Sequence, residues 1–343
     1  MPQLDHRSSF RTIVLVLLVC LAGAGSARYA FAGGTAVRLK FSGGLGFLSD
    51  GGGDLELTRS ETPPWLSEYP FPYTDTFAWE GLSTVPEWKA EAILTFGRHF
   101  GLGLGLSRTV LSSTGNFSLA YEYFQTHGYE SISGKFSFAF VQRYEASALG
   151  FQLNFYYFLP LGRFELYAFA GPGYYLGNLR HEYDDDISLR WDDYYSYPPD
   201  EYIKEIVEAK HISEKATCRR LGFQTGIGLQ FRITSHVFFG IESMIRRVNF
   251  DDWQGTSSSS SQWTEKTFWE SVGSWTTTTG SEVAEEEGSL WFFVGDVFGS
   301  FADDVPTLMI SDTQPEATYS HSPRKAEVNF HAVDVMLTLT FRF

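Results

Sequence analysis

The chain has 343 residues, a formal net charge of -15 and a 17% share of Phe, Trp and Tyr. The acidic balance, with no basic patch, excludes a phosphate-backbone binder, so no nucleic acid is expected as a partner. Once Cys20 leaves with a leader, Cys218 stands alone, and neither a zinc motif nor a CxxC is present. No intrachain disulfide, metal or cofactor is expected.

Residues 1–32 read as a secretory signal, with Arg7 and Arg11 before the apolar run Ile13–Leu21. Ala22-Gly23-Ala24 and Ala30-Phe31-Ala32 both fit the small-residue cleavage pattern, which puts the cut between 24 and 32. The nine-residue core is too short to span a bilayer as a helix, which takes ~20 residues. The remainder, 33–343, reads as one domain. The mean hydropathy of the whole chain is slightly negative. That disfavours helical spans but not strands, because alternation averages hydropathy away.

Strict alternation of apolar and polar residues marks strands. Thr35–Phe47 is the first, with Val37, Leu39, Phe41 and Leu45 on one parity. Residues 48–88 lose periodicity and read as a long loop; Ala90, Ala92, Leu94 and Phe96 begin a second strand. Leu102, Leu104 and Leu106 alternate with glycines in the third, and glycine there suits a face where space is short, as inside a narrow barrel. Residues 109–135 read as a second loop, with Phe117–Phe124 as a possible strand extension. Leu149 to Tyr157 forms the fourth strand and Phe164–Leu176 the fifth, where Pro172 between glycines suggests a bulge. Residues 178–217 read as a third loop with helical character over Tyr202–Lys215, where Glu and Lys flank Ile203, Ile206 and Val207. The sixth strand holds Leu221, Phe223, Ile227 and Leu229, the seventh Val237, Phe239, Ile241 and Ile245. Residues 251–327, with Ser257–Ser261 and Thr276–Thr279, read as the largest loop. Val333–Phe343 is the eighth strand, and it ends on an aromatic residue.

Short turns near 97–101, 160–163 and 233–236 alternate with the four long connections, so every long connection falls on one side. This is the plan of a transmembrane barrel: an even strand count, short turns at one end and long loops at the other. The expected fold is all-β, an eight-stranded antiparallel up-and-down barrel. The closing strand, with Leu339, Phe341 and Phe343 on one parity, resembles the terminal strand of bacterial outer-membrane barrels. The run Leu166–Tyr175 resembles the central hairpin of the outer-membrane-protein β-barrel domain family. The resemblance implies an outer-membrane location, contact with outer-membrane lipid and lipopolysaccharide, and a monomer. It also implies that Leu339, Phe341 and Phe343 serve as an insertion signal for the barrel-assembly machinery.

The parity opposite the apolar one carries Arg38, Lys40, Glu91, Glu165, Arg232, Glu242, Arg246 and Arg342. Eight strands leave an interior that side chains fill, and a lone buried charge is costly. A network joining Glu91, Glu165 and Glu242 to Arg232, Arg246 and Arg342 is therefore expected to plug the lumen, unless some of these residues sit at wet barrel ends.

Other constellations are weaker. An acyl-transfer site on lipopolysaccharide needs a Ser or Thr beside a His; His127, His181 and His331 with Ser131, Ser133 or Ser213 have no specific spacing. Asp184-Asp185-Asp186 with Asp192-Asp193 lacks the spaced ligands and glycine of a calcium loop and reads as solvated surface. Trp253, Trp263, Trp269, Trp275 and Trp291 suit adhesion, loop packing or an interfacial girdle. The first expectation for function is a non-enzymatic surface barrel whose loops serve envelope integrity, adhesion or binding of a small ligand. Passive uptake of small hydrophobic solutes and a lipopolysaccharide-modifying enzyme are the alternatives.

Overall fold

The computed structural model describes residues 35–48, 54–57, 73–79, 84–127, 130–196, 199–295, 305–315 and 323–343. The leader expected over 1–32 and most of the first connection lie outside the described residues. In chain order the elements are β1 (Ala36–Leu48), the short helix α1 (Asp54–Leu57), β2 (Tyr73–Trp79), β3 (Thr84–Phe96), β4 (Phe100–His127) and β5 (Glu130–Leu161). Then come β6 (Phe164–Ser196), β7 (Pro199–Arg232), β8 (Val237–Arg247), β9 (Asn249–Phe250) and β10 (Gln254–Trp269). The chain continues with β11 (Ser274–Gly295), β12 (Val305–Ser311), β13 (Arg324–Lys325), β14 (Val328–Asn329) and β15 (Ala332–Arg342).

Eight of these strands close a ring. β1, β3, β4, β5, β6, β7 and β8 pair in succession, and β15 lies between β8 and β1, every pair antiparallel. Closure is what hydrocarbon demands, since a lipid-facing sheet edge would leave N–H and C=O groups unsatisfied. The three short turns lie at Gly97–His99, Gly162–Arg163 and Ile233–His236, between the strands they join. Gly97 and Gly162 take φ of 64° and 72°, which other residues adopt only at a cost.

Side-chain alternation sorts the wall into two faces. Leu104, Leu221, Ile227 and Leu337 point outward, at 66%, 77%, 62% and 58% exposure, while Asn154, Gln224 and Glu242 point inward and are fully buried. Inward glycines make room for large neighbours. A Cβ on Gly228 would stand 2.2 Å from the Tyr167 ring, so that ring lies over bare backbone.

Several sequence expectations change. The stretches 109–135 and 178–217 are largely strand, because β4 to β7 run for 28, 32, 33 and 34 residues. A tilted crossing takes ~9–11 residues, so roughly 20 residues of each of these strands stand beyond the lipid, some 65 Å at ~3.3 Å per residue. Tyr202–Lys215 belongs to β7 and is not helical. Its charges pair across the sheet, Lys204 with Glu265 at 3.2 Å and Glu205 with Arg190 at 3.0 Å. Pro172 makes no bulge: the β5–β6 register is the same on either side of it, and the ladder only skips Leu153 and Asn154, opposite Pro172 and Gly171. Proline lacks the N–H that the rung would need.

The region 251–327 also holds strands. β10 pairs the upper part of β7, β11 pairs β10, and β12 pairs β11, extending the projecting sheet sideways. Leu290, Phe292, Leu308 and Ile310 of this extension pack with Leu179, Ala216 and Cys218 of β6 and β7. The free Cys218 thiol is buried there. In the same core, Val248, Phe250, Trp253, Val328 and Phe330 join Tyr175, Ala148 and Val85 from the barrel strands. Backbone contacts knit this cap, with β9 pairing β14, Phe330 N–H donating to Val248 C=O at 3.0 Å and Asp54 N–H to Glu327 C=O at 2.9 Å. Asp54 also receives Arg324 Nη1 at 2.8 Å and the Glu327 N–H at 2.7 Å.

Leu337→Arg puts a cation at an outward position midway along β15 and is expected to destabilise the barrel in lipid vesicles by ~2–4 kcal/mol. Equilibrium urea unfolding checks this; an unchanged midpoint would mean that the outward face does not meet hydrocarbon.

Candidate functional site

The lumen is the densest cluster of charge in the described residues, and it is built in levels. At the short-turn end, Arg38 of β1 pairs with Glu165 of β6, its Nη2 donating to Oε2 at 3.2 Å. Gln230 Nε2 donates to the same carboxylate at 2.5 Å, and the guanidinium lies 4.1 Å from the Phe158 ring centroid.

The middle level is electrically balanced, with two ammonium groups facing two carboxylates. Lys40 Nζ lies 2.6 Å from Glu242 Oε2 and 2.7 Å from Glu91 Oε2, spanning the interior from β1 to β8. Lys89 of β3 sits 3.1 Å from Glu91 and 3.9 Å from Glu242. Tyr156 and Tyr167 donate their hydroxyls to Glu91 and Glu242 at 2.7 and 2.8 Å, and Asn154 Nδ2 donates to Glu91 at 2.5 Å. The Phe169 ring stacks on Tyr156 at 5.3 Å and lies 4.3 Å from Lys89 Nζ and 4.9 Å from Lys40 Nζ. Burying one ion costs several kcal/mol, which only such pairing and hydrogen bonding offsets.

Nearest the cap, Arg246 of β8 meets Glu87 at 2.5 Å and Asp334 at 3.7 Å, and donates to Thr109 Oγ1 at 2.6 Å and Phe330 C=O at 3.2 Å. Phe330 C=O, which accepts from Arg246, belongs to the apolar cap and joins this level to it.

Of the eight expected network residues, six come together inside: Arg38, Lys40, Glu91, Glu165, Glu242 and Arg246. The pairings differ from those expected. Arg232 is exposed and Arg342 half-buried at the short-turn end, and among the described residues neither forms an ion pair, so the expected partnership with the three glutamates is corrected. Solvent reaches that rim, and nothing compels a rim cation to pair. Glu87, Lys89 and Asp334 take part instead. Glu87 and Lys89 share the parity of Glu91 at intervals of two, a signal hidden by placing the strand's start after them. Leu339 and Phe341 face outward, Phe341 edge-on to Phe41 at 6.4 Å, and Phe343 N–H donates to Val37 C=O at 2.8 Å.

The other sequence candidates are dispersed by the same alternation. Asp184 points outward to His211 at 2.6 Å and Arg143 at 3.2 Å, whereas Asp185 points inward, where burial raises its carboxyl above the usual range. Consecutive acids on opposite faces cannot share one ion, and no cluster of three or more His, Cys, Asp or Glu suited to a metal occurs among the described residues. Asp192 pairs outward with Arg190 at 3.1 Å, and Asp193 is buried on the other face. His181 Nδ1 lies 2.7 Å from Glu214 and its ring stacks on Tyr144 at 4.5 Å. Ser213 pairs in register with Glu182 on the opposite face, so it is not beside His181. Ser131 and Ser133 at the start of β5 are half-buried and lie far in the topology from the half-buried His331, and the His127 side chain lies outside the described residues. Trp253 is buried in the cap and donates Nε1–H to Phe250 C=O at 3.1 Å, and Trp291 donates to Ser311 C=O at 3.2 Å. Trp269 lies against Tyr202 at 4.4 Å, Trp275 against Phe268 at 5.3 Å and Trp263 across from Gly280.

Residues 16–264 match the family model described as the outer membrane protein beta-barrel domain. The chain belongs to this family. The outer-membrane location and the eight-stranded barrel agree with the ring of ladders described above. No curated protein matches the chain. Among solved structures it is similar to the outer membrane protein OprG from Pseudomonas aeruginosa, at 9% identity and a TM-score of 0.35, covering 91% of this chain and 98% of that one. It is also similar to the outer membrane transporter YddB from Escherichia coli, at 8% identity and a TM-score of 0.10, covering 90% of this chain and 81% of that one. Neither likeness bears on what the barrel does.

Glu242→Gln leaves Lys40 and Lys89 facing one carboxylate and is expected to lower the stability of the barrel by ~3–5 kcal/mol. Arg232→Gln at the exposed rim is expected to stay within ~0.5 kcal/mol. Unfolding midpoints in the same detergent check both; equal effects would remove the distinction between lumen and rim.

Proposed function

We propose that the protein is a closed, non-conducting outer-membrane barrel that holds a stiff β-sheet away from the lipid as a surface for attachment or ligand binding, with no catalytic step of its own. The observation that carries this reading is the combination of a filled lumen with strands that continue far past the belt. The Lys40–Glu242 contact crosses the interior, and the buried cluster of Phe250, Trp253 and Phe330 lies beyond it on the long-strand side, which supports a closed lumen. A pore would gain nothing from four strands of this length, whereas a projecting platform needs them. In this reading the long-strand end faces the cell exterior, the protein works as a monomer, and Leu339, Phe341 and Phe343 guide assembly into the membrane.

Two measurements test it. In planar bilayers the wild-type chain is expected to show no steady conductance, and a large stable conductance would overturn the reading. Replacing residues 115–142 by a two-residue turn shortens the β4–β5 hairpin above the Thr114–Arg143 pair. That variant is expected to keep its heat-modifiable gel shift and to reduce attachment of cells displaying the protein by roughly tenfold. Attachment equal to that of the full-length chain would sink the proposal.

A further inference from the structure

The outward apolar run of one strand after another stops at a cation on the long-strand side. On β4, Leu102, Leu104 and Leu106 are followed on the same parity by Arg108; on β7, Phe223 and Leu221 by Arg219; on β8, Ile241, Ser243 and Ile245 by Arg247. On β6, Leu176 is followed by Asn178 and then Arg180, which stands directly opposite Lys215 of β7. Like charges facing each other across a ladder are destabilising unless something anionic lies between or above them.

The bookkeeping of partners sharpens this. Arg180 pairs with Glu182 and has Glu145 opposite it on β5. Lys215, Arg219 and Arg247, all exposed, and the half-buried Arg108 make no ion pair among the described residues. Higher on the same outward face three cations are neutralised, Arg143 by Asp184 at 3.2 Å, Arg190 by Asp192 at 3.1 Å and Lys135 by Glu122 at 2.6 Å, and the exposed Lys266 stands in register with Glu205. In a chain with 26 basic and 41 acidic residues, these four cations without an ion pair stand together where the apolar belt ends on the long-strand side.

We infer that Lys215, Arg219 and Arg247, with Arg180 beside them, form a binding site on β6–β8 for the phosphate groups of the outer-leaflet glycolipid, lipopolysaccharide. Its acyl chains would lie on Leu221 and Phe223, below Arg219 on β7, and on Ile245, below Arg247 on β8, which are 77%, 50% and 50% exposed. Arg247 stands in register with Phe223, four residues below Arg219. Their backbones are therefore about 13 Å apart along the strand and ~5 Å across it. Two long side chains on that spacing suit a headgroup with two separated phosphates better than a lipid with one. Arg also presents a fork that matches phosphate oxygens in pairs.

The inference rests on the long-strand end facing the outer leaflet, as proposed above. The experiment uses the full chain in detergent micelles, with native mass spectrometry after addition of purified bisphosphorylated lipid A. Micelles have no sides, so an inverted orientation would leave this result intact and would be revealed by protease protection on whole cells. The double variant Arg219→Gln/Arg247→Gln is expected to hold the lipid about tenfold less tightly than wild type, with its heat-modifiable shift retained. Arg143→Gln, whose partner is Asp184, is expected to bind as wild type does, and raised salt is expected to weaken wild-type binding. Equal retention by the double variant would overturn the site. So would equal binding of dephosphorylated lipid A, which would assign recognition to the acyl chains, or equal binding of phosphatidylglycerol, which would remove the preference for two phosphates.

Discussion

Hydrocarbon offers no hydrogen-bond partner to a backbone, and that constraint organises this protein. It forces β15 between β8 and β1 so that no strand edge meets lipid. A ring of eight strands is narrow, so inward side chains must touch one another. Once the inward parity carries Lys40, Lys89, Glu91 and Glu242, the narrow space compels them to neutralise each other. Inward glycines then follow, because the Tyr167 and Phe169 rings that line the ions need bare backbone to lie on. A closed wall thus leads to a core of inward side chains that neutralise and hydrogen-bond one another.

The outer surfaces divide by solvent. Below the rim the outward face is Leu, Phe and Ile; above it the same parity carries ion pairs such as Arg143 with Asp184 and Arg190 with Glu205. Exposed pairs of this kind contribute little stability each. Order in the projection comes instead from its ladders and from the core shared by β6, β7, β11 and β12, where Glu214 Oε1 accepts the Ile310 N–H at 2.9 Å.

Legibility in the sequence followed the same boundary. Within lipid, alternation is physically required, and Leu149 to Tyr157 or Val333 to Phe343 announce strands without ambiguity. Beyond lipid, both faces of a ribbon tolerate polar residues. Ser257–Ser261 and Thr276–Thr279, which look like low-complexity loop, are consecutive residues of β10 and β11. The Glu and Lys residues of 202–215 fit helical spacing and cross-strand pairing equally well, and only the neighbouring strands decide between them. In the lumen, parity identified which residues face inward but not their height. Height separates Arg246, ringed by Glu87 and Asp334, from Arg232, which solvent already satisfies.

The long ladders of β4 to β7, held in one register, also constrain how such a protein changes over generations. A surface loop gains or loses residues singly at little cost, whereas most residues of these ribbons are matched on both sides, as Tyr144 is by Ser113 and His181. One inserted residue would turn every side chain beyond it to the wrong face. Lineages carrying this projection are therefore expected to differ in height by even steps, taken together on both arms of a hairpin.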